Sequence, residues 1–286
     1  MKLAMLLVGV LGVVFVGNGI RAGQPPVNTL TAAELDAGWE LLFDGETTNG
    51  WRSYRPDMQV DGWGAVEGTL ARVGAGGDII SEEIFENFDL RLQWKLAPGG
   101  NSGIFFRVAE GADEVWHTAP EMQVLDDDTH PDGRQTKTSA GSDYGLYGRA
   151  KDKVNSVYKW NVIRILAEGG HIDYGDVTKT SDGVDRAVYG PMEPLVNPVG
   201  EWNAVRILVD GSHVEYWLNG VRIVEYELWS EDWERRVLAS KFAAYSGFGR
   251  ARRGHFALQN HGDPVFYRNI KVRRLPNMQD SSLNPQ

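Results

Sequence analysis

The segment 202–226 constrains the fold most strongly. Asp210-Gly211 and Asn219-Gly220 punctuate it, and such pairs are two-residue hairpin turns because a type I′ loop needs positive φ at both central positions. The runs between them alternate apolar and polar residues with period two. A three-stranded antiparallel meander follows. Further runs enriched in β-branched and aromatic residues are expected as strands at 39–43, 63–67, 69–72, 88–96, 102–108, 121–125, 160–166, 255–259 and 265–273, with Gly, Pro, Asn or Asp between them. No stretch reads as a long helix. Thr31 followed by Glu34 is a capping-box pattern for one short helix. Many short strands with regular turn signals mean an all-β sandwich or barrel. The chain's 286 residues, with 10 Trp, 10 Tyr and 10 Phe, suffice for one large domain with a sizeable core.

A formal charge of −10 argues against nucleic acid as a partner. Residues 1–22 read as a targeting segment: Lys2, then an apolar run over 3–16, then small residues around Ala22 and Gly23. The run is shorter than the roughly 20 residues a membrane span needs, so export, periplasmic or extracellular, is expected rather than a retained anchor. The chain has no Cys, which excludes disulfides, thiolate metal sites and Cys-linked lipid. The domain is expected over 31–275 and a flexible tail over 276–286. The segment beginning Trp160-Asn resembles that beginning Trp202-Asn, which suggests that about 150–198 is an inserted local duplication.

The chemistry is sought on the polar strand faces. In 89–96, Leu90, Leu92, Trp94 and Leu96 share one face and Arg91, Gln93 and Lys95 the other. In 101–108, Gly103, Phe105 and Arg107 share a face; in 121–125, Glu121 and Gln123 do; near 255–261, His255, Ala257, Gln259 and His261 do, running into a tight Gly-Asp-Pro turn. A plain solvated face accounts for Arg91 and Lys95. It accounts less well for Arg107, Glu121, Gln123, Gln259 and His261. The run Asp126-Asp127-Asp128-Thr129-His130 holds possible ligands for a divalent metal, but its spacing fits no calcium loop. The glycines of 99–103 read as a hairpin turn, beside which Asn101 could orient a ligand. No nucleophile elbow, zincin motif or Cys nucleophile is present. The strand at Glu121 supplies one carboxylate, not the pair an ordinary glycosidase needs.

Several motifs carry a resemblance: GWELLFDGETTNGW at 38–51, Gly-Gly-Asp at 76–78, FDLRLQWKLAPGGNSGIFFR at 88–107, EMQVLDD at 121–127, 200–228 and FALQNHGDPVFYRNIKVRRL at 256–275. Together they resemble the 3-keto-disaccharide hydrolase family over about 31–275, with 150–198 longer than its pattern. The resemblance implies a concanavalin A-like jelly-roll sandwich and an exported enzyme acting on glycosides oxidised at C3. A C3 ketone acidifies the C2 proton, so a base, an enolate stabiliser and an acid suffice for β-elimination and rehydration. On that reading His261 or Glu121 is the base, Arg107 or a metal steadies the enolate, and His130 is the acid. Asn101, Gln123, Asp126, Gln259 and Lys95 hold the sugar. Trp51, Trp63 and Trp116 are candidate stacking platforms. A carbohydrate-binding module without catalysis, or a structural surface domain, remains an alternative, because fold does not fix function.

Overall fold

A computed structural model describes residues 26–55, 57, 60, 62–149, 177–179, 185–187 and 195–276. In chain order its strands are β1 (Trp39–Leu41), β2 (Trp51–Ser53), β3 (Trp63–Val66), β4 (Thr69–Arg72), β5 (Ile79–Ser81), β6 (Phe88–Leu96), β7 (Asn101–Val108), β8 (Glu121–Leu125), β9 (Val177–Lys179), β10 (Asp185–Ala187), β11 (Asn203–Asp210), β12 (His213–Leu218), β13 (Val221–Glu227), β14 (His255–Leu258) and β15 (Val265–Arg274). An eight-stranded antiparallel sheet runs β13-β12-β11-β6-β15-β4-β3, with β1 also on β15; a five-stranded one runs β2-β5-β14-β7-β8. β9 and β10 form a separate pair. The expected all-β, two-sheet jelly-roll sandwich is therefore the fold. Its core lies between the sheets, where Leu90, Leu92, Trp94 and Leu96 join Ile104, Phe106, Met122, Val124, Phe256 and Leu258 in one cluster. Each large apolar side chain so buried contributes about 1.5–3 kcal/mol.

The meander forms as expected, with one shift. Leu218 pairs Val221 across Asn219-Gly220, both at positive φ. Asp210, however, pairs His213, so the first loop is Gly211-Ser212 with Gly211 at φ +61°. α1 (Ala32–Asp36) carries the full capping box: Glu34 N donates to Thr31 Oγ1 at 3.2 Å and Thr31 N donates to Glu34 Oε2 at 3.0 Å. α2 (Glu231–Leu238) was not expected. It is short, capped by Ser230 Oγ accepting from Trp233 N, and fixed by two buried anchors one turn apart, Trp233 and Val237.

The turn read as a hairpin at 99–103 is instead a crossing. β6 lies in the eight-stranded sheet and β7 in the five-stranded one, so 97–100 carries the chain over the sandwich edge; Gly99, at φ +75°, turns that corner. The turn 259–264 likewise carries β14 to β15 on the other sheet. Turn residues mark where a chain bends, not which sheet receives the next strand. The targeting segment expected at 1–22, the strand expected at 160–166, most of 150–198 and the tail expected over 276–286, from 277 on, lie outside the described residues. Among the described residues no helix is long and apolar enough to cross a membrane.

Candidate active site

The five-stranded sheet turns one face to the core and the other outward. Along the outward face Ile80, Ala257, Phe105 and Glu121 are cross-strand neighbours on β5, β14, β7 and β8. One ladder step further lie Gln259, Gly103 and Gln123: Gln259 N donates to Gly103 O at 3.0 Å and Gly103 pairs Gln123. Asp78 extends that row, because it precedes β5 just as Gln259 follows β14. The segment 109–119 covers the first row, packing Val115, Ala119 and Trp116 with Tyr54, Ile80, Phe105, Val108 and Ala257. The second row carries the polar groups.

Glu121 is buried at the junction of the two rows. A β-carbon at position 103 would overlap its carboxyl group, so the glycine there makes the space the acid occupies. With its amide turned to satisfy both neighbours, Gln123 donates to Ser102 O at 2.9 Å and to Glu121 Oε1 at 3.1 Å. Burial pushes the Glu121 carboxyl up to about 8, against the opposing pull of the Lys241 cation; the charges of Asp78, Asp143 and Asp132 push it the same way as burial. Burial also pushes Asp78 up to about 7, although its Oδ1 accepts from Asn260 N at 2.8 Å. Asp78 is held firmly, since its carbonyl accepts from Tyr54 N and the Asn260 amide donates to Gly76 O. Two carboxyl groups titrating near neutrality on one sheet face, with the charge of Asp78 raising Glu121 further, are a candidate acid–base pair.

Beyond Glu121 stands an aromatic and cationic wall. Lys241 Nζ lies 4.7 Å from the Trp116 ring centre and 4.5 Å from that of Tyr144. Tyr144 is tied to β8 by its N–H to Glu121 O at 3.0 Å, and its hydroxyl donates to Asp132 Oδ2 at 3.2 Å. The His117 ring stacks on Tyr245, with centroids 4.0 Å apart. Behind Glu121, Asp143 is fully buried beside Tyr216 and Tyr226, and burial holds its carboxyl well above the usual range.

Of the residues singled out from sequence, Glu121, Gln123 and Gln259 share this face. Asn101 and His130 lie together at its edge. His130 Nδ1 accepts from Asp132 N at 3.2 Å, and its Nε2 lies 3.5 Å from Asn101 Nδ2. Asp126 serves its own loop: against the upward push of burial, hydrogen bonds from Thr129 Oγ1 and from the N–H of Gly99 and Asp128 hold it below the usual carboxylate range. Asp127 accepts from Ala140 N and pairs with Arg149 at 3.1 Å, while Asp128 is exposed. The run 126–130 thus spreads its donors instead of converging them on a metal. Among the described residues His213, Glu215 and Glu225 do converge, but Arg222 Nη1 already bridges the two carboxylates at 2.7 and 3.0 Å.

The placements of Lys95 and Arg107 are corrected, and His261 is left without the strand alternation that singled it out. Lys95 points outward, as alternation requires, but from β6, so it lies on the far side of the sandwich from Glu121. Arg107 leaves the alternation at a β-bulge, where β7 shifts register against β14 and Arg107 takes φ +54°. Its guanidinium is buried against Glu86 O, Asn87 Oδ1 and Gly211 O, and burial lowers it to about 10. His261 is exposed on the turn after β14, which ends at Leu258, so strand alternation no longer sets its direction. Trp51 and Trp63 belong to the core, leaving Trp116 beside the site. Asp78 and Lys241 were missed. Asp78 stands inside the Gly-Gly-Asp motif, a signal that was present; Lys241 comes from a short turn after α2 with no pattern to single it out.

A family profile described as the 3-keto-alpha-glucoside-1,2-lyase-like domain matches residues 38–187 and 174–273. The chain belongs to this family. A Bacteroides thetaiotaomicron protein named 3-keto-disaccharide hydrolase is 30% identical to it over 86% of this chain and 84% of that protein. Among solved structures, a Parabacteroides distasonis protein provisionally named a glycosyl hydrolase is 28% identical, with TM-score 0.68 over 88% of this chain and 100% of that one. A second protein from that organism shares the fold at 22% identity and TM-score 0.53, over 83% of this chain and 99% of its own.

Proposed function

We propose that the chain is a carbohydrate-active enzyme that cleaves the glycosidic bond of 3-keto-glycosides, with Asp78 and Glu121 as its proton-handling pair. The observation that carries the reading is that pair: two carboxyl groups raised into the neutral range, facing one polar row of one sheet in a chain of this family. Asp78, the lower of the two, takes the C2 proton as a carboxylate, and the C2–H electrons pass into the enolate at the C3 oxygen. The enolate then expels the C1 substituent, forming a C1=C2 bond, and the Glu121 carboxyl gives its proton to the departing oxygen. Water then adds back across that bond: the Glu121 carboxylate takes its proton as the hydroxyl joins C1, and Asp78 returns its proton to C2, which completes hydrolysis and restores both carboxyl groups. Lys241 is the donor suited to the enolate oxygen. Trp116 offers the sugar an apolar face. The targeting segment at 1–22 supports an exported enzyme.

A second reading rests on the same pair, since a second carboxylate also permits direct acid–base hydrolysis of an unoxidised glycoside. One assay separates them: release of a chromophore from a 3-keto-glucoside beside its unoxidised parent, by the purified chain. Release from the 3-keto substrate alone is expected. Equal release from the parent favours direct hydrolysis, and release from neither favours a binding module.

A further inference from the structure

The outer face of the eight-stranded sheet, on the far side from Glu121, is basic in a chain of net charge −10. Arg206, Arg91 and Lys271 are direct cross-strand neighbours on β11, β6 and β15. Like charges placed so repel. Local acids offset part of this: Asp89 is shared by Arg91, Arg206 and Arg273, and Glu34 pairs with Lys271. Two cations of the same face receive no such partner. Neither Lys95 nor Arg268 has a carboxylate within ion-pair distance among the described residues. Both are held in place by aromatic rings instead. The Arg268 guanidinium lies 3.9 Å from the Trp202 ring centre, with its Nε donating to Gln93 Oε1 at 2.8 Å. Lys95 Nζ lies 5.0 Å from both Trp202 and Phe266.

Lys95, Trp202, Phe266 and Arg268 line a groove of about 460 Å³, a size that suits a small ligand. Asp44, Glu46 and Glu67 stand on other parts of its wall, Asp44 with its oxygens occupied by Thr47 and by the N–H of Glu46, so the positive charge is confined to the end formed by Lys95 and Arg268. A stacked guanidinium keeps its edge free for a planar or tetrahedral anion, and its fork is pre-organised. An indole and a phenyl ring beside it offer an apolar surface to a sugar ring.

We propose that this groove is a second saccharide site, distinct from the Glu121 face, that takes an anionic glycan: the carboxylate or sulfate sits on Lys95 and Arg268, and the ring lies against Trp202 and Phe266. The test is calorimetric titration of the full chain with polygalacturonate, dextran sulfate and neutral dextran, repeated for the Lys95→Gln/Arg268→Gln double variant. Melting temperature serves as the check on folding. Binding of at least one polyanion is expected, weakening with added salt and falling at least tenfold in the double variant. Polygalacturonate alone would name the carboxylate, and dextran sulfate alone the sulfate. The proposal fails if neither polyanion binds, if neutral dextran binds equally well, or if a double variant that melts like the parent binds undiminished. Should the double variant melt early, Arg268→Lys, which keeps charge but loses the fork, must still weaken binding severalfold. The readout is binding, so its failure leaves the reading of the Glu121 face untouched.

Discussion

The Glu121 carboxyl group fills the space that a side chain at position 103 would require, so Gly103 on β7 and Glu121 on β8 are fitted to one another across a strand pair. Gly103→Ala must push the acid out of its seat. Overpacking of this kind typically costs about 1–3 kcal/mol. Turnover is expected to fall with it. A double-mutant cycle checks the cause: Glu121→Ala removes the obstruction, so Gly103→Ala should cost far less stability in that background. Equal melting-temperature losses in both backgrounds would show that position 103 constrains something else.

The pH dependence of turnover follows from Asp78 near 7 and Glu121 near 8. Activity requires Asp78 ionised and Glu121 protonated, so kcat/KM should be bell-shaped with its maximum between these values. Glu121→Gln should lower the rate by about 10²–10⁴-fold and remove the alkaline limb. Asp78→Asn should remove the acid limb. A profile that keeps both limbs in both variants would take the pair out of the mechanism.

The same burial has a thermodynamic consequence. A carboxyl whose folded value is raised binds its proton in the native state while the unfolded chain has already lost it. The stability this contributes is full below the unfolded value and is lost as pH rises through the folded one. For Glu121 that window runs from about 4.5 to about 8. Within it stability falls by at most about 1.4 kcal/mol per pH unit for the group. Urea titrations at pH 5 and pH 8 should therefore show Glu121→Gln less sensitive to pH than the parent. Asp143→Asn should behave likewise, because Asp143 is raised by the same cause. An unchanged slope in both variants would mean that the acids are ionised in the fold.

How far the sequence foretold this arrangement depended on whether a signal was local. Strand positions were legible because alternation and turn residues are written in neighbouring positions; β4, β6 and β8 begin and end where expected. The three-residue strands β2 and β5 offered too few positions for any period to show. Sheet membership was not legible, and that alone moved Lys95 to the wrong side of the sandwich. Nor was the bulge at Arg107, which one residue in left-handed conformation creates. Glu121, Gln123 and Gln259 were found because their face is set by strands paired in register. Asp78 and Lys241 reach the site from outside any strand, so no periodicity pointed to them.

The bulge also separates structural from chemical roles. Arg107 donates to three acceptors on the segment 86–87 and on the Gly211 turn, and its guanidinium lies 5.6 Å from the Trp229 ring centre. Arg107→Ala removes the hydrogen bonds that the buried guanidinium gives to Glu86 O, Asn87 Oδ1 and Gly211 O, a loss of about 1.5–3 kcal/mol. Melting temperature should fall by several degrees. Turnover per folded molecule should stay within about twofold, because the side chain faces away from the row that carries Asp78 and Gln123. Arg107→Lys should recover little, since an ammonium cannot reproduce the guanidinium fork. The decisive comparison is kcat for the folded fraction of Arg107→Ala against that of Lys241→Ala. Lys241→Ala should melt near the parent and yet lose tenfold or more in turnover, with the alkaline limb moved upward as Glu121 loses its opposing cation. The reverse pattern, a stable but inactive Arg107→Ala, would return Arg107 to the chemistry.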